Sequence, residues 1–511
     1  MIFLAFVLIG IVLLYLYNVR TFNYWTKRGV KHVTPMVFVG STLDVYLQKK
    51  SVTQLCAEIY VNHPKEKIVG MFWSTKPVLV IRDPNIIKSI LIADFYHFYK
   101  RGVMPGNTLE PLLRNLFFAE GDLWRLLRQR LTPAFTSGKL KAMFPLITER
   151  AENLRTRTLN AALEGRALDA RDLMARYTTD FIGACGFGLD ANSLNDEDSA
   201  FRKLGADIFH FGLRENLKLL IKDMFPNFTD NIKFFDRLED KIIDLVIDIQ
   251  KQRNYQPSKR NDFIDLMLEC KKKGKIVGDS IENFNKNGSP KGAEVDLDDV
   301  IMAAQVFVFF AAGFETSSSA TSYTLHQLAY YPEVQKKVQK EIDTVLTKYD
   351  DKLSYDAIKE MTYLEWTFKE ALRLFPSLGF LIRTCVKPYT IPEVNVPIDK
   401  EVRVIIPVQA LHTDPQYWNK PDEFRPERFH PDEFNDVAKS IYMPFGEGPR
   451  SCIGERLGLM QSLAGLAAVL SRFTVEPAPE TKRYPSVETR ADIVQAIDGG
   501  LPLMFRQRKK Q

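Results

Sequence analysis

The chain has 511 residues, 45% hydrophobic and 26% charged, an ordinary globular composition that excludes intrinsic disorder, a collagen-like repeat and a polytopic membrane protein. Its 69 Lys+Arg against 63 Asp+Glu leave a net charge of +6. That excess is too small and dispersed for the basic stripe of a nucleic-acid binder, yet compatible with an anionic membrane face or an acidic partner. The five cysteines, Cys56, Cys185, Cys270, Cys385 and Cys452, form no Cys-x-x-Cys pair and have no histidines at zinc spacing. Any special cysteine therefore acts alone, in a reducing compartment.

Residues 1–17 carry no charge and sit at the short end of the lengths that span a bilayer as a helix. Tyr15, Tyr17, Tyr24 and Trp25 suit an interfacial belt, and Arg20, Lys27, Arg28 and Lys31 place the following chain on the cytoplasmic side. No basic residue precedes the run and no small-x-small site closes it, so it reads as an uncleaved anchor rather than a signal peptide. Residues 18–40 read as a linker and 41–511 as one large domain.

Runs 67–72 and 78–82, β-branched or aromatic around Ser74-Thr75-Lys76-Pro77, predict a hairpin. From Gly121 onward, apolar residues at three-to-four spacing predict helices over 122–135, 139–163, 171–185, 229–253 and 261–273. The Gly/Lys/Asn-rich stretch 271–292 reads as a surface loop. A long helix is expected over about 295–329, with Asp296 as its cap and Asp298 and Asp299 complementing its dipole. Its middle is apolar on all sides, so it should cross the centre of the fold rather than a membrane. Helices over 332–348 and 362–375, a Pro-rich stretch 377–435 with short β-like runs and an apolar helix over 455–472 complete a mainly α chain with small β-sheets.

The segment Phe445-Gly446-Glu447-Gly448-Pro449-Arg450-Ser451-Cys452-Ile453-Gly454 is the most informative. A cysteine here stands at the start of the last helix, where the dipole and backbone N–H groups favour a thiolate. The glycines let the backbone approach a flat ligand, and Arg450 offers a fork suited to a carboxylate. A lone thiolate with planar access suits an axial haem ligand. A dinucleotide fingerprint fails because Ser451 stands where the third glycine belongs, and a cysteine nucleophile lacks a histidine base placed by any motif. Simple core packing remains the bland reading of Cys452, and it suits the other four cysteines.

The segment resembles the haem-binding signature Phe-x-x-Gly-x-Arg-x-Cys-x-Gly of the cytochrome P-450 family at every fixed position. The resemblance implies that fold, with haem b (iron protoporphyrin IX) bound through Cys452 and the adjoining Phe445, Gly446 and Arg450. Glu370-x-x-Arg373, followed by Pro426-Glu427-Arg428-Phe429, is similar to the family's buried ion-pair triad, implying Glu370, Arg373 and Arg428 here. Trp124-x-x-x-Arg128 and Arg383 match its propionate-binding groups. Ala311-Ala312-Gly313-Phe314-Glu315-Thr316 matches its oxygen-activation motif. In that motif Gly313 lets the helix open so that Thr316 and Glu315 serve dioxygen and protons instead of Thr316 back-bonding Ala312.

By position, Phe117, Phe310, Ala311, Leu378, Phe380 and Leu381 are candidate pocket residues. The implied reaction inserts one oxygen atom of O2 into a hydrophobic small molecule, xenobiotic or endogenous. No flavin or nicotinamide motif is visible, so electrons are expected from a membrane-bound NADPH-dependent flavoprotein reductase, with a small b-type cytochrome as a further partner. Arg125, Arg128 and Arg130 offer part of a basic docking face. The likeness is nearest to the microsomal xenobiotic-metabolising branch, especially its insect members, implying the endoplasmic reticulum membrane. The proline-rich hinge common after the anchor is reduced to Lys31-His32-Val33-Thr34-Pro35. A haem-thiolate isomerase or dehydratase of peroxides and a non-catalytic haem sensor are the alternatives; Glu315-Thr316 argues against the first.

Overall fold

The computed structural model describes residues 9–10, 12, 15–16, 19–103, 110–209, 217–218, 220–222, 233, 238–258, 260, 262–490 and 493–509. The described residues of the 1–17 run are helical, and Ile9, Val12, Tyr15 and Leu16 turn their side chains outward; the rest of that run lies outside the described residues. The 18–40 segment, expected as a linker, is largely built into the domain. Trp25 is fully buried and its indole N–H donates to the Met71 carbonyl at 3.0 Å. A side chain on Gly70 would collide with that ring, so the glycine is what admits it.

Helix α1 (Val52–Asn62) opens with a capping box between Ser51 and Gln54 and packs its apolar face on the expected hairpin, β1 (Ile68–Trp73) and β2 (Lys76–Ile81). There follow α2 (Gly121–Leu131), α3 (Ser137–Glu164), β3 (Leu168–Asp169), α4 (Ala170–Ile182), α5 (Ala200–Phe209), α6 (Glu239–Gln252) and α7 (Phe263–Lys272). The part of the 229–253 prediction before residue 238 lies, except for residue 233, outside the described residues.

The stretch 271–292 is not a loop. Strands β4 (Ile276–Phe284) and β5 (Pro290–Val295) form a hairpin packed on α2. Its polar residues, which read as solvated, are used inward. The Ser280 hydroxyl and Ile281 N–H donate to the Asp122 carboxylate at 2.7 and 2.6 Å, and Glu282 accepts the Asp122 N–H. Polarity in sequence cannot tell a solvated loop from a strand whose hydrogen bonds serve a distant helix end.

Helix α8 (Asp299–Tyr330) is the axis of the domain. Asp298 rather than Asp296 caps it, its Oδ1 accepting the Ile301 N–H at 2.6 Å. It is buried along nearly its whole length, with α4 packed beside it. Among the described residues it is the one helix long and apolar enough to cross a bilayer, and its place in the core accounts for that composition. After it come α9 (Pro332–Lys348), α10 (Thr362–Leu374), β6 (Leu381–Thr384), β7 (Tyr389–Ile391), β8 (Val396–Ile398), β9 (Arg403–Ile406), α11 (Glu455–Leu470), β10 (Phe473–Pro477) and β11 (Pro502–Gln507). Strand β9 lies between β2, to which it runs parallel, and β6, giving the order β1-β2-β9-β6; β10-β11-β3 form a second small sheet. The result is mainly α with small sheets, as the sequence predicts.

Candidate active site

Cys452 leaves a tightly bonded loop that ends where α11 begins. The Gly446 N–H donates to Met443 O at 3.0 Å, and the Cys452 N–H to Phe445 O at 2.8 Å. Gly446 and Gly448 both have left-handed φ, +72° and +73°. A Cβ on Gly448 would lie 2.1 Å from Leu91 O, so that position tolerates no side chain. The Cys452 side chain is exposed, but into an internal cavity. Burial pushes its thiol pKa up, outweighing the Gly454 N–H and the Arg128 and Arg101 guanidiniums. At this helix end the loss of water around the sulfur outweighs the stabilising N–H and guanidinium groups. The remaining cysteines are buried, in keeping with core packing.

The cavity, of about 330 Å³, is lined mostly by apolar groups. Phe117, Ala311, Leu378, Phe380 and Leu381 line it as expected. Phe310 does not: it is buried on the other side of α8, its ring 5.5 Å from Phe187 and stacked on Phe314. Phe307 lines the cavity instead. It stands one turn before Ala311, so α-helical spacing from Ala311 would have found it. Phe135, Ile208, Phe263 and Val494 also reach the cavity from separate elements, and no local pattern marks them.

Three arginines, Arg101, Arg383 and Arg450, line one edge, and Arg128 bonds the cysteine loop. Arg450 is buried, with Nε donating to Tyr99 O and Nη2 to Ala119 O, rather than offering its fork to a carboxylate of the chain. Its guanidinium lies 4.0 Å from the centre of the Trp124 ring. Arg101, which the sequence reading missed, bonds Phe117 O and Arg450 O. Arg383 bonds its neighbour's carbonyl, Ile382 O. Arg128 donates to Ser451 O at 2.8 Å, and neither it nor Trp124 is among the cavity-lining groups. None of the four arginines has an ion-pair partner among the described residues, and Arg383 Nε and Arg450 Nη1 are buried without an acceptor. Burial pushes Arg101 down to about 10 and Arg383 to about 9, and holds Arg450 well below its usual value, with neighbouring guanidiniums adding repulsion to each. Guanidinium does not give up its proton in proteins, so these shifts express a demand for anions.

The described structure departs from the expected opening of α8. The helix is continuous, and Thr316 Oγ1 donates back to Ala312 O at 2.5 Å, with Thr316 still lining the cavity. The neighbouring helix turns are held by other donors: Ser377 bonds Thr316 O, Thr178 bonds Phe314 O and Gln461 bonds Gly313 O. Glu315 is buried away from the cavity and paired with Arg171 of α4 at 2.6 Å.

The triad is assembled as anticipated. Glu370 and Arg373 of α10 are fully buried and joined by two bonds of 2.8 and 2.9 Å, and Arg428 Nε reaches Glu370 at 3.1 Å. Arg373 also holds His412 O and Pro421 O, and the Arg425 N–H donates to Glu370. The same Glu-x-x-Arg spacing elsewhere does not give a buried pair: Glu152/Arg155 is partly exposed and Glu447 does not pair with Arg450.

These residues fit haem. A planar carboxylate-bearing ring answers the unpaired arginines, and a Cβ on Gly454 would fill space beside the sulfur, 4.0 Å from Cys452 Sγ. The chain belongs to the cytochrome P450 family, whose model matches residues 31–503. It is a haem-dependent P450 monooxygenase using O2. It is 38% identical to cytochrome P450 6B6 of Helicoverpa armigera, over 99% of this chain and 98% of that one. It is 36% identical to cytochrome P450 6a2 of Drosophila melanogaster, covering 98% of each, and 33% identical to cytochrome P450 6k1 of Blattella germanica, covering 97% and 95%.

Proposed function

We propose that the chain oxygenates uncharged hydrophobic small molecules at the endoplasmic reticulum membrane, with haem b held by Cys452 and electrons from an NADPH-dependent flavoprotein reductase, assisted by a small b-type cytochrome. The observation that carries this reading is the Cys452 sulfur opening into an apolar cavity edged by unpaired buried arginines. Haem held at the Cys452 sulfur would supply oxygen activation, helped by electron density donated from the thiolate. The chain's own groups do the rest. Arg101, Arg383 and Arg450 bind and orient carboxylates, supported by Arg128 and Trp124. Phe117, Phe307, Ala311 and Phe380 exclude water and hold an apolar substrate. The Thr316 hydroxyl becomes a donor to the cavity once it leaves Ala312 O, and Glu315 exchanges protons once its carboxylate leaves Arg171.

Membrane attachment through residues 1–17 is supported by the outward apolar side chains of Ile9, Val12 and Leu16. For reductase docking, Arg125 is half-buried without an ion pair among the described residues. Arg128 is turned to Ser451 O, and Arg130 to Cys270 O and Lys275 O.

The test is the reduced, carbon-monoxide-bound spectrum of wild type and Cys452→Ser. A thiolate-type Soret band in wild type and its loss in the variant are expected; a histidine-type band in wild type overturns the reading. NADPH consumption should require added reductase, whereas rapid peroxide rearrangement without it would indicate an isomerase.

A further inference from the structure

One route from the Glu370–Arg373 pair to the root of the cysteine loop runs through His412. His412 is fully buried. Its carbonyl accepts from Arg373 Nη1 at 2.8 Å, and its ring Nε2 faces the Met443 N–H at 3.1 Å. An N–H donates there, so Nε2 is an acceptor and the ring is neutral. Burial and the nearby Arg373 charge hold its pKa down to about 3, in keeping with that state. The ring also stacks on Tyr442, centroids 5.2 Å apart at 24°. Met443 in turn accepts the Gly446 N–H, and Phe445 O accepts the Cys452 N–H.

We infer that His412 is a positioning residue: its imidazole carries the rigidity of the Glu370–Arg373 pair into Met443 and so fixes the register of the loop that presents the Cys452 sulfur. Two features favour this over simple core filling. The acceptor is aimed at one backbone donor that has no α-helical partner, and that donor lies at the root of the loop rather than within α10. A buried N–H without an acceptor is costly, so the loop has one low-energy arrangement while Nε2 is in place. The inference rests on the haem-thiolate reading of Cys452.

The experiment compares the full-length haem protein with His412→Phe, His412→Gln, His412→Asn and His326→Phe. Phenylalanine keeps the stacking ring and removes the acceptor. Glutamine places Oε1 near the position of Nε2, while asparagine falls short of it. His326 is equally buried but bonds Lys482 O, remote from the loop in the hydrogen-bond chain, and serves as the control. The readout is the conversion of the reduced carbon-monoxide complex from its thiolate-type band to the neutral-thiol or histidine-type band under mild warming. His412→Phe and His412→Asn should convert on the order of 10-fold faster, the factor an unpaired buried donor carries. His412→Gln and His326→Phe should convert at the wild-type rate. Should His412→Phe fail to fold, the Gln/Asn pair decides alone. Equal rates for Gln and Asn, a wild-type rate for Phe, or acceleration in the His326 control would each overturn the inference. Absence of the thiolate-type band in wild type would instead overturn the haem-thiolate reading itself, so the two failures are distinguishable.

Discussion

On one side of the cavity, residues 443–454 are fixed by directional bonds: Met443 to His412, Cys452 to Phe445, Arg450 to Tyr99 and Ala119, and Arg128 to Ser451. On the other, Phe117, Ile208, Phe307 and Val494 arrive from separate segments and meet through apolar contact. Hydrogen bonds demand a donor, an acceptor and an angle, so the first side admits few residues at each position. Apolar contact demands only volume and shape, so the second side admits many. Under the proposed function, chemistry common to the reaction class belongs on the first side, and the choice of substrate on the second.

The largest effect that would test this contrast comes from Glu370→Gln. It leaves Arg373 and Arg428 buried without a carboxylate, and should cost about 3–5 kcal/mol of stability, read as a lowered melting temperature with loss of bound haem. A loss below about 1 kcal/mol, the value of a surface pair, would show that the pinned side does not depend on the triad.

Phe310→Ala and Phe307→Ala separate packing from lining. Phe310→Ala should cost about 3–5 kcal/mol, as for a buried aromatic, and leave ligand-induced spin-state shifts unchanged in the protein that folds. Phe307→Ala should change the set of ligands that produce such shifts, with a smaller loss of stability because the space it vacates already adjoins the cavity. The same ligand profile in both variants would contradict the placement of these rings.

Gly446→Ala and Gly448→Ala come next. Each loses about 1–2 kcal/mol from a left-handed backbone, and Gly448→Ala loses more because its Cβ would meet Leu91 O. Thermal unfolding that ranks them the other way would refute the loop geometry. The smallest effect on stability is Thr316→Ala, within about 0.5 kcal/mol since only a back-bond to Ala312 O is removed. Its consequence should lie in turnover, as more peroxide released per NADPH consumed; unchanged coupling would remove Thr316 from proton delivery.

The same contrast explains what could be read in advance. The Cys452 loop, the Glu370–Arg373 spacing and the hairpin of β1 and β2 are short-range patterns, and each stands where the sequence placed it. Phe310 was misassigned because hydrophobicity in a helix apolar all round does not show which face meets the cavity; only the i, i+4 spacing from Ala311 points to Phe307. The 271–292 hairpin was missed because Ser280 and Glu282 spend their polarity on α2. Arg101 was missed because its partners, Phe117 O and Arg450 O, come from elsewhere in the chain.

The family, the single sulfur and the ion-pair triad are legible in local residue patterns, because geometric bonding at close spacing leaves few residue choices. Which rings line the cavity, that Thr316 bonds Ala312, that Glu315 turns to Arg171 and that three cations share one edge follow from packing in three dimensions. Those outcomes depend on distant segments converging, and the energy of convergence is spread over many weak contacts that no local pattern records.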